Sequence, residues 1–561
     1  MWQLSMDNVL GVVYGLHILW AAGVFIPKIG DAVAQKCFSN YHCSRYVRRS
    51  QFGHTVDLAD GQWREFRSSL WLLMLTAVGT SLLVIMARNI LSKQLRYEHQ
   101  TVVRSISVIR VVIGVIILFV QHGYHAFIVI AIASVGYMLA RLSYKGKIHF
   151  ATTWLFAIII LLFKESYRVK HMPGFQFLIP LFDRRFGGMY GWQLPTNFLV
   201  LRIISYSLDL HWRHSELVKK QSEKDALAET MNNDPDTGLP LSDYSVLHYF
   251  AYILYAPLYM AGPVITFDNF MRCSNLQHTS IMHAADISSS KTITKTSTSM
   301  DANTSNNEKV TEISKAENIP FYALRFVLCL SLMEYLLHRF PFFAVASSGL
   351  INTLSPIQTA IVCYVLLKMM WLKFLLLWRF FRLWAMCEGI YPPENMTRCM
   401  SNTYSLELFW RGWHSSFNLW LVRYLYKPLG GKGNQLYSVW IIFVFVALWH
   451  DIEWKLIAWG LLNAMFYAVE VCVKKGVEYA GVHTLPAPVY ELLCAMGGSV
   501  YIIILICVNL VGYAVGVGGV SAIVNKLVSP EGITMILGCF YFLVIAVLLM
   551  RLLKKKGYTK G

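Results

Sequence analysis

Long apolar runs constrain this chain more than any other feature. After a first run at 9–26, others lie near 68–87, 105–121, 124–141, 149–163, 195–210, 245–266, 320–337, 341–353, 356–377, 437–449, 453–473, 492–516 and 533–553. A helix needs about 20 apolar residues to cross the hydrocarbon core of a bilayer, and many of these runs approach that length. They are continuous, which favours helices over the alternating strands of a membrane barrel. Several are too short to cross alone and are expected to be re-entrant, interfacial or buried. That leaves about ten to twelve true spans by length. Charged residues make up 15% of the 561, against about 25% in soluble domains. That is too little polar surface for three or four soluble domains. The expected fold class is an all-α multi-pass membrane protein.

The flanks of the runs suggest an organisation. The first seven residues hold no Lys or Arg, so 1–27 reads as a retained first span rather than a signal peptide. Residues 28–67, ending in Trp63-Arg64-Glu65-Phe66-Arg67, read as a loop and an interfacial amphipathic helix. Residues 68–275 and 319–553 are the two parts of the bundle, with a charged linker at 211–244 inside the first and a basic tail at 554–561. Between the two parts, 276–318 is rich in Ser, Thr, Asn, Lys and Glu and holds no Phe, Trp or Tyr. Such a composition cannot build a core, so disorder is expected there. Asn303-Thr304-Ser305 and Asn395-Met396-Thr397 are glycosylation sequons, usable only if they face the lumen.

Net charge is +18. In a membrane chain these cations belong to loops and flanks that meet anionic lipid headgroups, and no nucleic-acid partner is expected. Lys554, Lys555, Lys556 and Lys560 point to a cytosolic C-terminus, and Arg88, Lys93, Arg96 and Arg104 to a cytosolic loop. The arginines after the first span then fall on the wrong side if every run crosses once, so positive-inside counting alone closes no topology. The eleven cysteines are scattered without a CxxC pair. They read as free apolar thiols, with neither a disulfide framework nor a zinc site.

The densest chemistry lies in Phe409-Trp410-Arg411-Gly412-Trp413-His414-Ser415-Ser416-Phe417-Asn418, which continues through Trp420 into Arg423-Tyr424-Leu425-Tyr426-Lys427-Pro428-Leu429-Gly430-Gly431. Downstream, Ala447-Leu448-Trp449-His450-Asp451 closes an apolar run. An ionisable side chain at such a depth is costly and marks a functional candidate. Imidazole titrates near pH 6.5, so it can take a proton from an alcohol and return it at neutral pH. A helix-packing role for either histidine is about as common. On a helix, Asn418 would share a face with His414 and could orient it or a bound carbonyl. Asp451 reads as a boundary carboxylate. Arg411, Arg423, Lys427 and Lys432 form a basic fringe that would meet phosphates or lipid headgroups. No P-loop, GxSxG or HExxH is present, and no metal site is expected.

These residues resemble the membrane-bound O-acyltransferase family. FWRGWHSSFN followed by RYLYKPLGG is similar to its signature, and ALWHD carries what looks like its most characteristic histidine. The match is best to the glycerol-uptake-protein branch, related to hedgehog acyltransferase. Further matching stretches are Arg202-Ile203-Ile204-Ser205-Tyr206-Ser207-Leu208-Asp209, Tyr255-Ala256-Pro257-Leu258-Tyr259 with Ala261-Gly262-Pro263, and Trp378-Arg379-Phe380-Phe381-Arg382-Leu383-Trp384. The resemblance implies a helical bundle around a tunnel. Acyl-CoA would enter as co-substrate from the cytosol, with no other cofactor, and a membrane lipid would be the acceptor. It implies His450 as general base, His414 as a supporting site residue, and the basic fringe as the holder of the CoA phosphates. It further implies an endoplasmic reticulum membrane and the lyso form of a glycosylphosphatidylinositol anchor as acceptor. Acyl transfer to a protein N-terminus and glycerol transport are the alternatives. The second is disfavoured because neither repeats nor broken midplane helices are evident.

Overall fold

A computed structural model describes residues 15–16, 19–49, 55–94, 99–168, 186–226, 238–275, 318–513 and 516–556. Most of the expected linker at 276–318, the end of the basic tail and the start of the first span lie outside these residues. Ten of the described helices are long and apolar enough to cross a membrane, within the expected range. In chain order the main elements are α1 (Ile26–Ser39), the hairpin β1 (Val47–Arg49) and β2 (Thr55–Asp57), α2 (Gly61–Gln94), α3 (His99–His122), α4 (Ala126–Ser143), α5 (His149–Arg168), α6 (Gln193–Ala226), α7 (Val246–Ile253), α8 (Ala256–Met260), α9 (Ile319–Arg339), α10 (Phe342–Ser347), α11 (Pro356–Cys387), α12 (Leu406–Gly412), α13 (Ser415–Leu421), α14 (Gln435–His450), α15 (Trp454–Tyr479), α16 (Ala487–Tyr513), α17 (Gly516–Leu527) and α18 (Pro530–Lys555).

The apolar runs divide into two kinds. Most become outer crossing helices with lipid-facing Leu, Val and Ile, such as Leu75, Leu82 and Leu537. The run at 195–210 instead becomes the axis of the bundle, every residue of it buried, and α6 carries on as helix to Ala226 through part of the expected charged linker. The runs at 245–266 and 341–353 break into short helices and do not cross. Pro257 and Pro341 stand at these breaks, where a missing N–H and a fixed φ end helices. The expected interfacial helix is not a separate element. Asp60 Oδ1 accepts from the Trp63 amide at 2.7 Å, an N-cap that starts α2 before the apolar run. Trp63 to Arg67 are therefore the first turns of a crossing helix.

One cysteine expectation is corrected. Cys37 and Cys43 are joined by a disulfide, with Cα atoms 5.2 Å apart. The chain leaves α1 at Asn40, whose side chain accepts from the Cys43 amide at 3.1 Å and caps a single turn. That cap folds the second thiol back onto the first. The other nine cysteines are free.

The disulfide supplies the side marker that charge counting lacked. It sits next to the β-hairpin, at one end of the bundle. The opposite end is reached by following helices away from it at about 1.5 Å per residue. There Arg88 donates to the Glu388 carbonyl at the end of α11, Lys474 pairs with Glu407, and Arg551 pairs with Glu491 just before Lys554 to Lys556. Disulfides persist in oxidising compartments, and basic flanks stay cytosolic. Both rules assign the disulfide end to the non-cytosolic side and the C-terminal lysines to the cytosol.

Candidate active site

α14 rises through the bundle and stops at His450, where the chain turns through Asp451 and Glu453 into α15. Three groups hold that stop. Lys164, 1% exposed near the end of α5, donates to Asn197 Oδ1 and to Asp451 Oδ1, both at 3.0 Å. Asn197 Nδ2 donates to the His450 carbonyl at 3.2 Å, and Trp449 Nε1 donates to the Asn197 carbonyl at 2.8 Å. The end of α14 is thus clamped to the axis helix α6. The His450 ring is fenced by Trp449, Trp459 and Tyr513, with its Nε2 3.4 Å from the Tyr513 hydroxyl. A Cβ on Gly512 would come within 2.8 Å of the Trp459 indole, so glycine there lets the fence close.

His414 is held differently. It is the residue before α13, at φ +46° and ψ +48°, the only non-glycine with positive φ among the described residues. Such a conformation costs about 1–2 kcal/mol for an ordinary side chain. Asn395 secures it: its carbonyl accepts from the Ser415 amide at 2.9 Å, and its Oδ1 accepts from the Ser416 amide and hydroxyl. Ser416 Oγ in turn accepts from the Val264 amide at 2.8 Å. The His414 ring stacks on Trp378, centroids 4.5 Å apart, and its buried Nε2 has no hydrogen-bond partner. Asn395, first residue of the second sequon, is fully buried and is a brace for this turn rather than a glycan acceptor.

The two histidines line one cavity of 370 Å³. Its walls include Leu367, Met370, Phe374, Leu377 and Trp378 of α11, Phe198 of α6, and Trp459 of α15. Asp60, Gln62, Glu453 and Lys455 also line it. Gln62 and Lys455 are exposed, so the cavity opens at the disulfide end. An apolar interior with two imidazoles and a polar mouth suits an amphipathic substrate with a reacting hydroxyl.

Asn418 and the basic fringe are not among the cavity's lining residues. His414 precedes its helix, so the face-sharing argument for Asn418 does not hold. Arg423 contacts Asp209 at 2.7 Å and Asp268 at 3.0 Å, and Arg411 contacts Glu407 at 2.6 Å. Lys427 and Lys432 are exposed, before the start of α14. They lie about 22 Å of helix away from His450. Lys164, Asn197, Asn395, Asp60 and Lys373 are the site residues that sequence reasoning passed over. Lys164 and Lys373 were open to discovery, as cations in or beside apolar runs.

The model of the membrane-bound O-acyltransferase family matches residues 191–515, a segment that holds α6, both histidines and most of the cavity. The chain is 32% identical over 490 residues to the membrane-bound O-acyltransferase gup1 of Schizosaccharomyces pombe, covering 85% of this chain and 76% of that one. It belongs to the membrane-bound O-acyltransferase family. The GUP1 protein of Saccharomyces cerevisiae is also 32% identical, over 85% of this chain and 78% of its own. The mouse protein-cysteine N-palmitoyltransferase HHAT is more distant, 24% identical over 40% of each chain. The protein is therefore a multi-pass membrane enzyme that transfers acyl groups. Family-like stretches outside the signature pack against it. Ser205 and Asp209 bond Tyr424, and Trp378 supports His414.

Proposed function

We propose that this enzyme transfers a long-chain acyl group from acyl-CoA to a lipid hydroxyl in the endoplasmic reticulum membrane, the acceptor being the lyso form of a glycosylphosphatidylinositol anchor. The observation that carries the reading is a cavity that holds both His450 and His414 inside an apolar wall, with a polar mouth on the non-cytosolic side. His450 takes the proton of the acceptor hydroxyl. The oxygen forms a bond to the thioester carbonyl carbon, the C–S bond breaks, and the departing thiolate receives the proton from the imidazolium. Transfer of this kind needs a base and positioning, with no metal. His414, with its free Nε2, supports the carbonyl or the acceptor. At the cytosolic end the exposed Lys427 and Lys432 are the cations best placed for the CoA phosphates, whereas Arg423 is held by Asp209 and Asp268.

The test is transfer from labelled palmitoyl-CoA to a lyso-anchor lipid in membranes carrying wild type or His450→Ala. A positioned general base contributes about 10²- to 10⁴-fold. The expected loss in folded His450→Ala is at least about 10²-fold. Transfer that survives this change would move the base to another residue. Wild type that is inert towards the lyso-anchor lipid but acylates another lipid hydroxyl would overturn the acceptor alone.

A further inference from the structure

Each ammonium at the cavity mouth faces a carboxylate. Lys373 Nζ lies 2.8 Å from Asp60 Oδ2, Lys455 Nζ 2.8 Å from Glu453 Oε2, and Lys164 Nζ 3.0 Å from Asp451 Oδ1. All of these except Lys164 line the cavity. Gln62 adds an exposed amide. The rim is therefore electrically balanced yet dense in both donors and acceptors. A bare anion is poorly served there, because every ammonium already faces a carboxylate that would repel it. Hydroxyl groups are well served, since each donates one hydrogen bond and accepts others.

Lys373 is the unusual member. It stands inside the crossing helix α11, 3% exposed, where a cation is expensive and marks function by default. A buried ion pair is weak evidence for stability, because apolar replacements of similar volume often do as well. Its place on the cavity wall gives it a different use. Asp60 already caps α2 with one oxygen and meets Lys373 with the other, so the pair is fixed at the mouth before any substrate arrives.

We propose that this rim is the head-group site for the acceptor and that it recognises a polyhydroxylated head through its hydroxyls, read by Lys373 and Asp60. The proposal rests on the acyl-transfer reading above and adds the chemistry of the head. Past Lys373 along α11 the wall turns apolar through Phe374, Leu377 and Trp378, which leads the reacting hydroxyl towards the histidines.

The double variant Asp60→Asn, Lys373→Met removes both charges together and keeps a capping side chain on α2. Purified enzyme is given a lysolipid with an inositol head, lysophosphatidic acid, and hexadecanol, which has a hydroxyl and no head. The ratio of kcat/KM for the inositol lipid to that for hexadecanol is expected to fall about tenfold or more, as loss of one or two hydrogen bonds to charged groups implies. KM for acyl-CoA should stay unchanged. An unchanged ratio would overturn the proposal, as would a loss that follows the phosphate and falls hardest on lysophosphatidic acid. A second readout does not need activity. Gln62→Cys is labelled with a membrane-impermeant maleimide, with wild type as the background. The inositol lysolipid should slow labelling more than lysophosphatidic acid or hexadecanol does; equal effects would overturn the site. Protection by the inositol lipid with no transfer to any acceptor would support the site and overturn the reading of the reaction.

Discussion

The two ends of the bundle solve opposite problems with the same residue types. At the disulfide end, cations stand at the cavity mouth beside carboxylates, as Lys373 does with Asp60, and the rim is balanced in charge. At the cytosolic end, Lys427, Lys432 and the lysines 554–556 at the end of α18 stand exposed. Between them, the signature arginine Arg423 is neither free nor at the mouth. Asp209, buried on the axis helix, and Asp268 hold it, while Tyr424 donates to Asp209 at 2.8 Å. Charge in this protein thus has three uses: a balanced mouth suited to hydroxyl groups, a basic surface for anions, and an internal lock. Sequence alone lists all three as Lys and Arg. Only the partner distinguishes them.

Breaking the lock should have the largest effect. Arg423→Ala leaves Asp209 buried and uncompensated; loss of one partner of a fully buried pair costs about 3–5 kcal/mol, and the 41% exposure of the Arg423 side chain places this pair below that range. The expected outcome is loss of folded protein in detergent, read by size-exclusion profile. Restoring balance with Asp209→Asn in the same chain should recover part of it. If Arg423→Ala folds normally and only its KM for acyl-CoA rises, Arg423 belongs with the exposed cations and the division is wrong. A smaller effect is expected from Lys427→Ala with Lys432→Ala. Exposed charges are screened and each contributes about 0–1 kcal/mol, so KM for acyl-CoA should rise about three- to tenfold. The rise should shrink at high salt, with the fold intact. No change at low salt would remove these lysines from the acyl-CoA site.

Much of the architecture was legible because the bilayer imposes a length. Ten helices meet it, and His450 was marked by its depth at the end of α14. What escaped was whatever depends on a partner distant in sequence. Pro195 to Leu210 reads as one more span, yet it is the axis, because other helices rather than lipid cover all its faces. Cys37 and Cys43 look like two more apolar thiols until Asn40 turns the chain. His414 was expected to be helical, but Asn395 holds it in a left-handed turn, which displaces Asn418 from its face. Asn395 itself was read as a sequon, since an Asn-Met-Thr triplet carries no sign of burial.

The smallest expected effect tests whether the disulfide end is a rigid clasp. Asp57, at the end of β2, is 1% exposed. Its two oxygens accept from the Ala59 and Ala344 amides, each at 3.0 Å, which ties the hairpin to α10. Burial pushes its carboxyl up to about 6, against the pull of those backbone hydrogen bonds. A carboxyl raised in this way contributes stability in its protonated form. That contribution is complete below about pH 4, the range of an unfolded aspartate, and is lost as pH rises through about 6. Wild type should therefore lose thermal stability between about pH 4 and 6 relative to Asp57→Asn, whose amide does not titrate. The variant also replaces one accepting oxygen by an amide nitrogen, and so carries a pH-independent cost of about 1 kcal/mol. Offset and slope are separate readings of the same melting series. An offset alone would mean that Asp57 stays ionised in the fold and that its two backbone amides outweigh its burial. A slope would mean that the clasp loosens as the medium turns neutral.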